Sequence, residues 1–297
     1  MTAAAGPALV TALGEEVDRL LAVEPEVRAD ADDSIHQMRV ATRRLRSILR
    51  SYRGLFEEAP VAARQEELAW LAAVLGVARD AEVRADRFAE LLATEMPGAR
   101  GKSTSSGPMT PLRAVATDLV EAERTKHRTA HARVLAALDS GRYHRLRTEL
   151  RAWRTEPPLR ADRADRPAVH VFEKVLRRDR KRLRRLVYAE PAAPAAERIE
   201  LLHDIRKSAK RLRYSCEDAA AVLGPEATEL GRHAKRLQTV LGDHRDAIES
   251  RDALLSHTAE APVAEATIYR TLAEAEDRAA VRALADYPDA AAFVCED

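Results

Sequence analysis

Apolar residues recur every three to four positions along almost the whole chain, and a few Pro-, Gly- and Ser-containing stretches interrupt the pattern. That period places the apolar side chains on one side of a helix, and the interruptions mark its ends. It predicts helices over about 7–22, 33–53, 60–75, 80–95, 111–139, 142–154, 168–188, 199–222, 226–241, 245–258 and 263–284. Between Met96 and Pro111 a Gly/Ser/Thr/Pro stretch should form a mobile surface loop, and a second break runs from Thr155 to Pro167.

Two segments of this pattern occur twice. His36-Gln-Met-Arg39, followed by Arg43-Arg44-Leu45-Arg46, returns as His203-Asp-Ile-Arg206, followed by Lys210-Arg211-Leu212-Arg213, at an offset of 167 residues. Leu71-Ala-Ala-Val-Leu-Gly-Val-Ala-Arg-Asp-Ala81 returns as Leu237-Gln-Thr-Val-Leu-Gly-Asp-His-Arg-Asp-Ala247, at an offset of 166. Two separate segments agreeing within one residue predict an internal duplication: a helical bundle over 1–155 and a second over 156–297, related by a pseudo-twofold and together forming one unit. In the Leu-Gly-x-x-Arg-Asp segments, Gly76 and Gly242 are expected to end one helix and Asp80 and Asp246 to cap the next. Arg79 and Arg245 are then expected to pair with acids rather than to reach a ligand.

Composition supports the helical reading. The 297 residues are 46% hydrophobic and 33% charged, with 11 Gly, 14 Pro and 4% aromatics, which favours helices over strands and an all-α fold. The formal net charge is only +1, so it is the arrangement of charge that informs. From Ile35 to Arg53 there are six Arg and no acid, and from His170 to Arg185 eight Lys/Arg accompany only Glu173 and Asp179. Cys216 and Cys295 show no metal or redox spacing, which predicts free thiols in a reducing compartment. The N-terminal segment lacks a basic n-region, and no apolar run is long enough to span a bilayer, so a cytoplasmic protein without membrane contact is expected.

On a helix, His36, Arg39, Arg43, Arg46 and Arg50 fall within a sector of about 80°. Met38, Ala41, Leu45, Ile48, Leu49 and Tyr52 occupy the broadly opposite face. His203, Arg206, Lys210 and Arg213 repeat the stripe over Ile205, Ala209, Leu212 and Cys216. Uncorrected like charges along a helix repel, and a row of them suits a ligand that is itself a row of negative charges. Arg binds phosphate oxygens bidentately and stays charged, while His adds charge on acidification. A single stripe would read as a solvated face paired with neighbouring acids; its recurrence in the same order reads as a surface for a linear phosphate polyanion. Lys174, Arg177, Lys181 and Arg184 or Arg185 form another basic face, from which Arg177 and Lys181 are carried as further contacts.

Other chemistries fit less well. Gly101-Lys102-Ser103 lacks the first glycine of a P-loop. Glu200-Leu-Leu-His203 matches the Glu-x-x-His of di-iron bundles, yet Arg39, Arg43, Arg206 and Lys210 would repel a metal cation, and no metal or other cofactor is expected. Asp33 or Ser34 is expected to cap the first stripe helix. Nucleic acid remains an alternative ligand, disfavoured by the scarcity of aromatics in the stripes beyond Tyr52 and Tyr214.

The two histidine segments, the Leu-Gly-x-x-Arg-Asp segments and the Asp139-Ser-Gly-Arg-Tyr143 to Trp153 stretch together resemble the CHAD domain, the conserved histidine α-helical domain, over almost the whole chain. The resemblance implies two pseudo-twofold helical bundles and a basic channel or groove for inorganic polyphosphate, lined by His36, Arg39, Arg43, Arg46, His203, Arg206, Lys210 and Arg213. It also implies association with polyphosphate granules, as a targeting or scaffolding component. The Glu-x-Glu-x-Lys signature of the CYTH triphosphatase domain that accompanies some members is absent, which favours a stand-alone binding module and not an enzyme. A phosphohydrolase acting on polyphosphate is the remaining alternative.

Overall fold

The computed structural model describes residues 3–95, 111–259 and 261–295, and among them no strand forms. The α-helices are α1 (Ala5–Arg28), α2 (Ser34–Ser51), α3 (Glu58–Glu95), α4 (Pro111–Leu138), α5 (Gly141–Trp153), α6 (Ala161–Ala164), α7 (Ala168–Ala189), α8 (Ala195–Leu223), α9 (Pro225–His257), α10 (Val263–Ala285) and α11 (Tyr287–Ala291). The fold is all-α, as the periodicity predicts. Extended backbone is limited to two isolated antiparallel bridges, Ala4 with Pro167 and Phe56 with Leu159. The Gly/Ser-rich loop expected at 96–111 and the Gly101-Lys102-Ser103 motif lie outside the described residues, apart from the first residue of α4.

Two helix boundaries differ from expectation. Helices α3 and α9 run unbroken through Gly76 and Gly242, so Asp80 and Asp246 lie inside helices and do not cap new ones. One glycine costs a helix only about 1 kcal/mol relative to alanine, too little to end it when the leucines leading into it are buried. Leu71 and Leu75 before Gly76, and Leu237 and Leu241 before Gly242, are all fully or almost fully buried. A Cβ at Gly76 would meet Nη2 of Arg39 at 3.9 Å, an ordinary contact. Gly76→Ala should therefore stabilise the protein by about 1 kcal/mol in urea unfolding; a loss of stability would show that the helix needs the bare α-carbon. Asp33, expected as a cap, occupies the N-cap position of α2 with φ 59° and makes no side-chain cap hydrogen bond. The chain turns through that left-handed residue instead, which aspartate tolerates better than most. Ser34, the other cap candidate, begins the helix with its hydroxyl buried and no hydrogen-bond partner among the described residues.

The chain forms two compact units. The first takes the described residues of Met1–Gly76, His131–Gln238 and Ala290–Asp297; the second takes Val77–Ala130 and Thr239–Asp289. Each draws on both sides of residue 155.

In the first unit, α1 packs along α2, α7 packs along α8, and α2 lies against α8. The apolar faces read from the sequence are the buried ones: Met38, Leu45, Ile48 and Leu49 of α2 and Ile205, Ala209, Leu212 and Cys216 of α8 are all fully buried. The Tyr52 ring meets that of Phe172 of α7 with centroids 4.9 Å apart and planes tilted by 47°. Helix α5 is anchored by Ser140, whose Oγ accepts from the Tyr143 backbone N–H at 3.2 Å. The Tyr143 hydroxyl in turn donates to buried Glu24 of α1 at 2.9 Å.

In the second unit, Phe88 and Leu92 of α3, Val115 and Leu119 of α4, Leu254 of α9 and Tyr269 and Leu272 of α10 form one apolar cluster. Arg87 donates from Nε and Nη2 to the almost fully buried Glu276 at 2.7 and 2.5 Å, a two-pronged bond of the strong, charge-assisted kind. Arg79 and Arg245 pair with Glu82 and Glu249, one turn along their own helices, at 3.0 and 2.6 Å. The acid-pairing reading of these two arginines therefore holds.

Candidate functional site

Where α2 and α8 meet, their polar sides enclose a cleft of about 200 Å³, lined by Arg43, Arg46, Ser47 and Arg50 of α2 and Lys207, Lys210, Arg211 and Tyr214 of α8. Six of these eight residues are cations and none is an acid. The apolar ridges of both helices are consumed in the core, so the opposite faces can carry charge without loss of packing.

The charges crowd one another. Burial pulls the Lys210 ammonium down to about 6, helped by Arg43, Arg206, Arg213 and Arg39, so the free protein holds much of this lysine neutral at physiological pH. Arg43 is lowered from the ordinary guanidinium value, first by burial and then by Arg39, Arg206 and Arg46, with only Tyr214 acting the other way. Arg46 is lowered by burial and by Arg50. The stripe residues Arg39, Arg43, Arg46, Arg50, Arg206, Lys210 and Arg213 thus act on one another across the two helices, which brings the two sequence repeats into one electrostatic site.

An aromatic ring offsets part of this repulsion beside the carboxylates, of which Glu217 pairs with Arg213 at 3.4 Å. Tyr214 is buried, and Arg213, Arg44 and Lys210 lie over its ring at 4.7, 5.5 and 5.6 Å from the centroid. The electron-rich face attracts cations by about 0.5–2 kcal/mol each without bringing in an anion that would compete with a ligand. Acids stand at the margins. Arg44 reaches buried Glu16 of α1 at 2.6 Å and also pairs with Glu217 of α8, tying three helices together. Lys207 pairs with Asp204 at 2.5 Å. Arg211 is held by Asp179 of α7 at 3.0 Å; Asp179, only 2% exposed, also accepts from Arg178 Nε at 3.1 Å and Ser215 Oγ at 2.8 Å.

Not every expected residue lines this cleft. His36 lies on the α1 side of α2, in a separate recess of about 420 Å³ walled by Ala22, Val23, Val40 and Ala41 beside Glu16 and Arg44. His203 is half-buried on α8 outside the cleft lining. Arg177 lines a third recess with Val169, Leu176, Val222, Leu223 and Leu230, and Lys181 is exposed on α7. Conversely, Ser47, Lys207, Arg211 and Tyr214 line the cleft although the stripe did not include them. Their signal was present in the spacing: 207, 210, 211 and 214 follow the i, i+3, i+4, i+7 pattern of one helix face, turned by about 70° from the expected stripe.

The fold and the cleft together define a class, an all-helical protein that gathers basic side chains from two like helices into one cleft lined by no acid. The chain belongs to the CHAD domain family, whose sequence profile matches residues 11–255. An uncharacterized protein of Mycobacterium tuberculosis strain CDC 1551 / Oshkosh and one of strain H37Rv are each 40% identical over 250 residues, covering 82% of this chain. The chain spans 44% of the length of these relatives. Among solved structures, PptA from Streptomyces chartreusis has a TM-score of 0.78 at 18% identity, covering 97% of this chain and 99% of that one. The CHAD domain of the plant Ricinus communis has a TM-score of 0.66 at 24% identity, covering all of this chain and 93% of that one. These two likenesses establish the fold. Among the described residues no helix is long and apolar enough to cross a membrane.

Proposed function

We propose that the α2–α8 cleft binds inorganic polyphosphate without hydrolysing it, and that the protein acts in the cytoplasm as a targeting or scaffolding component of polyphosphate granules. One observation carries this reading: six basic side chains and no acid line a single cleft, although the whole chain is nearly neutral. CHAD domains bind polyphosphate in related proteins, which supports the choice among phosphate polyanions. A linear chain of phosphates satisfies the arginine forks along α2 and meets Lys210 and Arg211 on α8. The duplicated stripes are, on this reading, two copies of one half-site.

Isothermal titration with long-chain polyphosphate tests the proposal, and the logarithm of its affinity should fall linearly with log salt as bound counterions are released. Phosphate release from the polymer in magnesium or manganese would overturn the non-catalytic part. Binding should also take up protons. The anion raises the pKa of Lys210 from about 6, so the complex holds more protons than the free protein above that pH, and affinity should strengthen as pH falls from 8 toward 6. The control is Lys210→Met, which should remove the larger part of the pH dependence. An unchanged profile in that variant would show that Lys210 is not the group that takes up the proton.

A further inference from the structure

Helix α7 carries a second cationic surface that the cleft does not use. Its inner face is buried through Phe172, Val175, Leu176, Leu183 and Val187, while Lys174, Arg177, Lys181 and Arg185 are exposed. At 100° per residue these four cations fall within about 80° of one another, and Tyr188 falls inside the same sector, one turn beyond Arg185. The row from Lys174 to Tyr188 is about 21 Å long. Among the described residues none of the four forms an ion pair; the acid that α7 buries, Asp179, serves Arg178 and Arg211 instead.

Tyr188 decides what such a row fits. It is 55% exposed, the only large apolar side chain of α7 to stand in solvent among the described residues, and Arg184 lies over its ring at 5.5 Å. An open aromatic face offers nothing to a bare phosphate chain, which has no flat group to lay on it. A single-stranded nucleic acid has both partners: a phosphate backbone for the cations and an unstacked base for the ring. A duplex keeps its bases stacked inside, and a lipid surface would call for several exposed apolar groups where α7 offers one.

The geometry points to the outer face of α7 as a binding surface for single-stranded RNA, with Lys174, Arg177, Lys181 and Arg185 along the backbone and Tyr188 stacked on a base. This surface is separate from the cleft, and it stands whether or not the cleft takes polyphosphate.

The test is fluorescence anisotropy of the full chain with a labelled twelve-nucleotide oligouridylate, alongside polyphosphate binding by the same variants. Tyr188→Ala should weaken the oligonucleotide about tenfold, the scale of one lost stack, while Tyr188→Trp retains it and polyphosphate affinity stays within twofold. Lys174→Glu combined with Arg185→Glu should weaken the oligonucleotide further and flatten its salt dependence. Replacing Arg43 and Lys210 by methionine in the cleft should leave the oligonucleotide within about threefold. Equal affinity of Tyr188→Ala and the parent for oligouridylate overturns the proposal. Equal losses for oligouridylate and polyphosphate in that variant, or loss of RNA in the cleft variant, overturn it too, because both make the two surfaces one. Failure of the parent to bind polyphosphate would count only against the cleft.

Discussion

Replacing Arg43 and Lys210 together by methionine should weaken polyphosphate binding at least a hundredfold and, without ligand, raise the melting temperature. The first half follows from lost phosphate contacts. A hydrogen bond to a charged group contributes about 1.5–3 kcal/mol, so two such side chains account for roughly 3–6 kcal/mol, and each 1.4 kcal/mol is tenfold in affinity. The second half follows from the crowding in the free protein. Burial and four neighbouring arginines oppose the Lys210 ammonium, and burial with three arginines opposes the charge on Arg43. Methionine fills similar space without charge, so each kcal/mol of repulsion removed should add about 2–4 °C. Opposite signs for affinity and stability are what a ligand surface predicts. Calorimetric melting beside titration measures both, and a variant that loses stability together with affinity would mean that the two side chains hold the helices and the cleft is not a ligand surface.

Asp179→Ala should destabilise the first unit by about 3 kcal/mol in chemical denaturation. Removing one partner of a buried ion pair leaves a charge without its counter-ion, at roughly 3–5 kcal/mol. The lower end applies because Arg178 remains half-exposed, whereas Arg211 is largely enclosed. Ser215 also loses its acceptor, and its contact with Ser51 of α2 at 3.4 Å is the remaining polar link there. Polyphosphate affinity should fall as well, because Arg211 lines the cleft and Asp179 sets its position. A cost below 1 kcal/mol would show that water replaces the carboxylate.

How far the sequence revealed this arrangement can be traced residue by residue. Helices α2 and α8 were legible because a 3.6 period with unbalanced charge is a strong local signal, and their buried faces match it residue for residue. The unbroken course of α3 and α9 was not, since a glycine weakens a helix locally while the leucines that override it act through packing. The cleft was legible in part. Arg43, Arg46, Arg50 and Lys210 line it as the stripe expected, but a helical projection gives angles within one helix and not the direction of its neighbour. Hence Lys207, Arg211 and Tyr214 were missed, and His36 lies instead toward α1. The role of Asp179 was hidden for the same reason, because a lone acid in a basic helix reads as minor until its partners on α8 are known.

Tyr214, the aromatic at the end of a stripe, eases the cleft's cations without an anion of its own, and this has a consequence for the life of the protein in a cell. A cleft whose cations are eased by a ring and only partly paired with acids is at its least favourable when empty. Any polyanion that fills it stabilises the native chain by RT ln(1 + [L]/Kd). Chains without cargo then open more often and are the first to reach a protease, so on the proposed reading abundance follows the supply of polymer with no dedicated sensor. The same partly paired cleft that gives affinity would match the number of binding proteins to the amount of polyphosphate to be held.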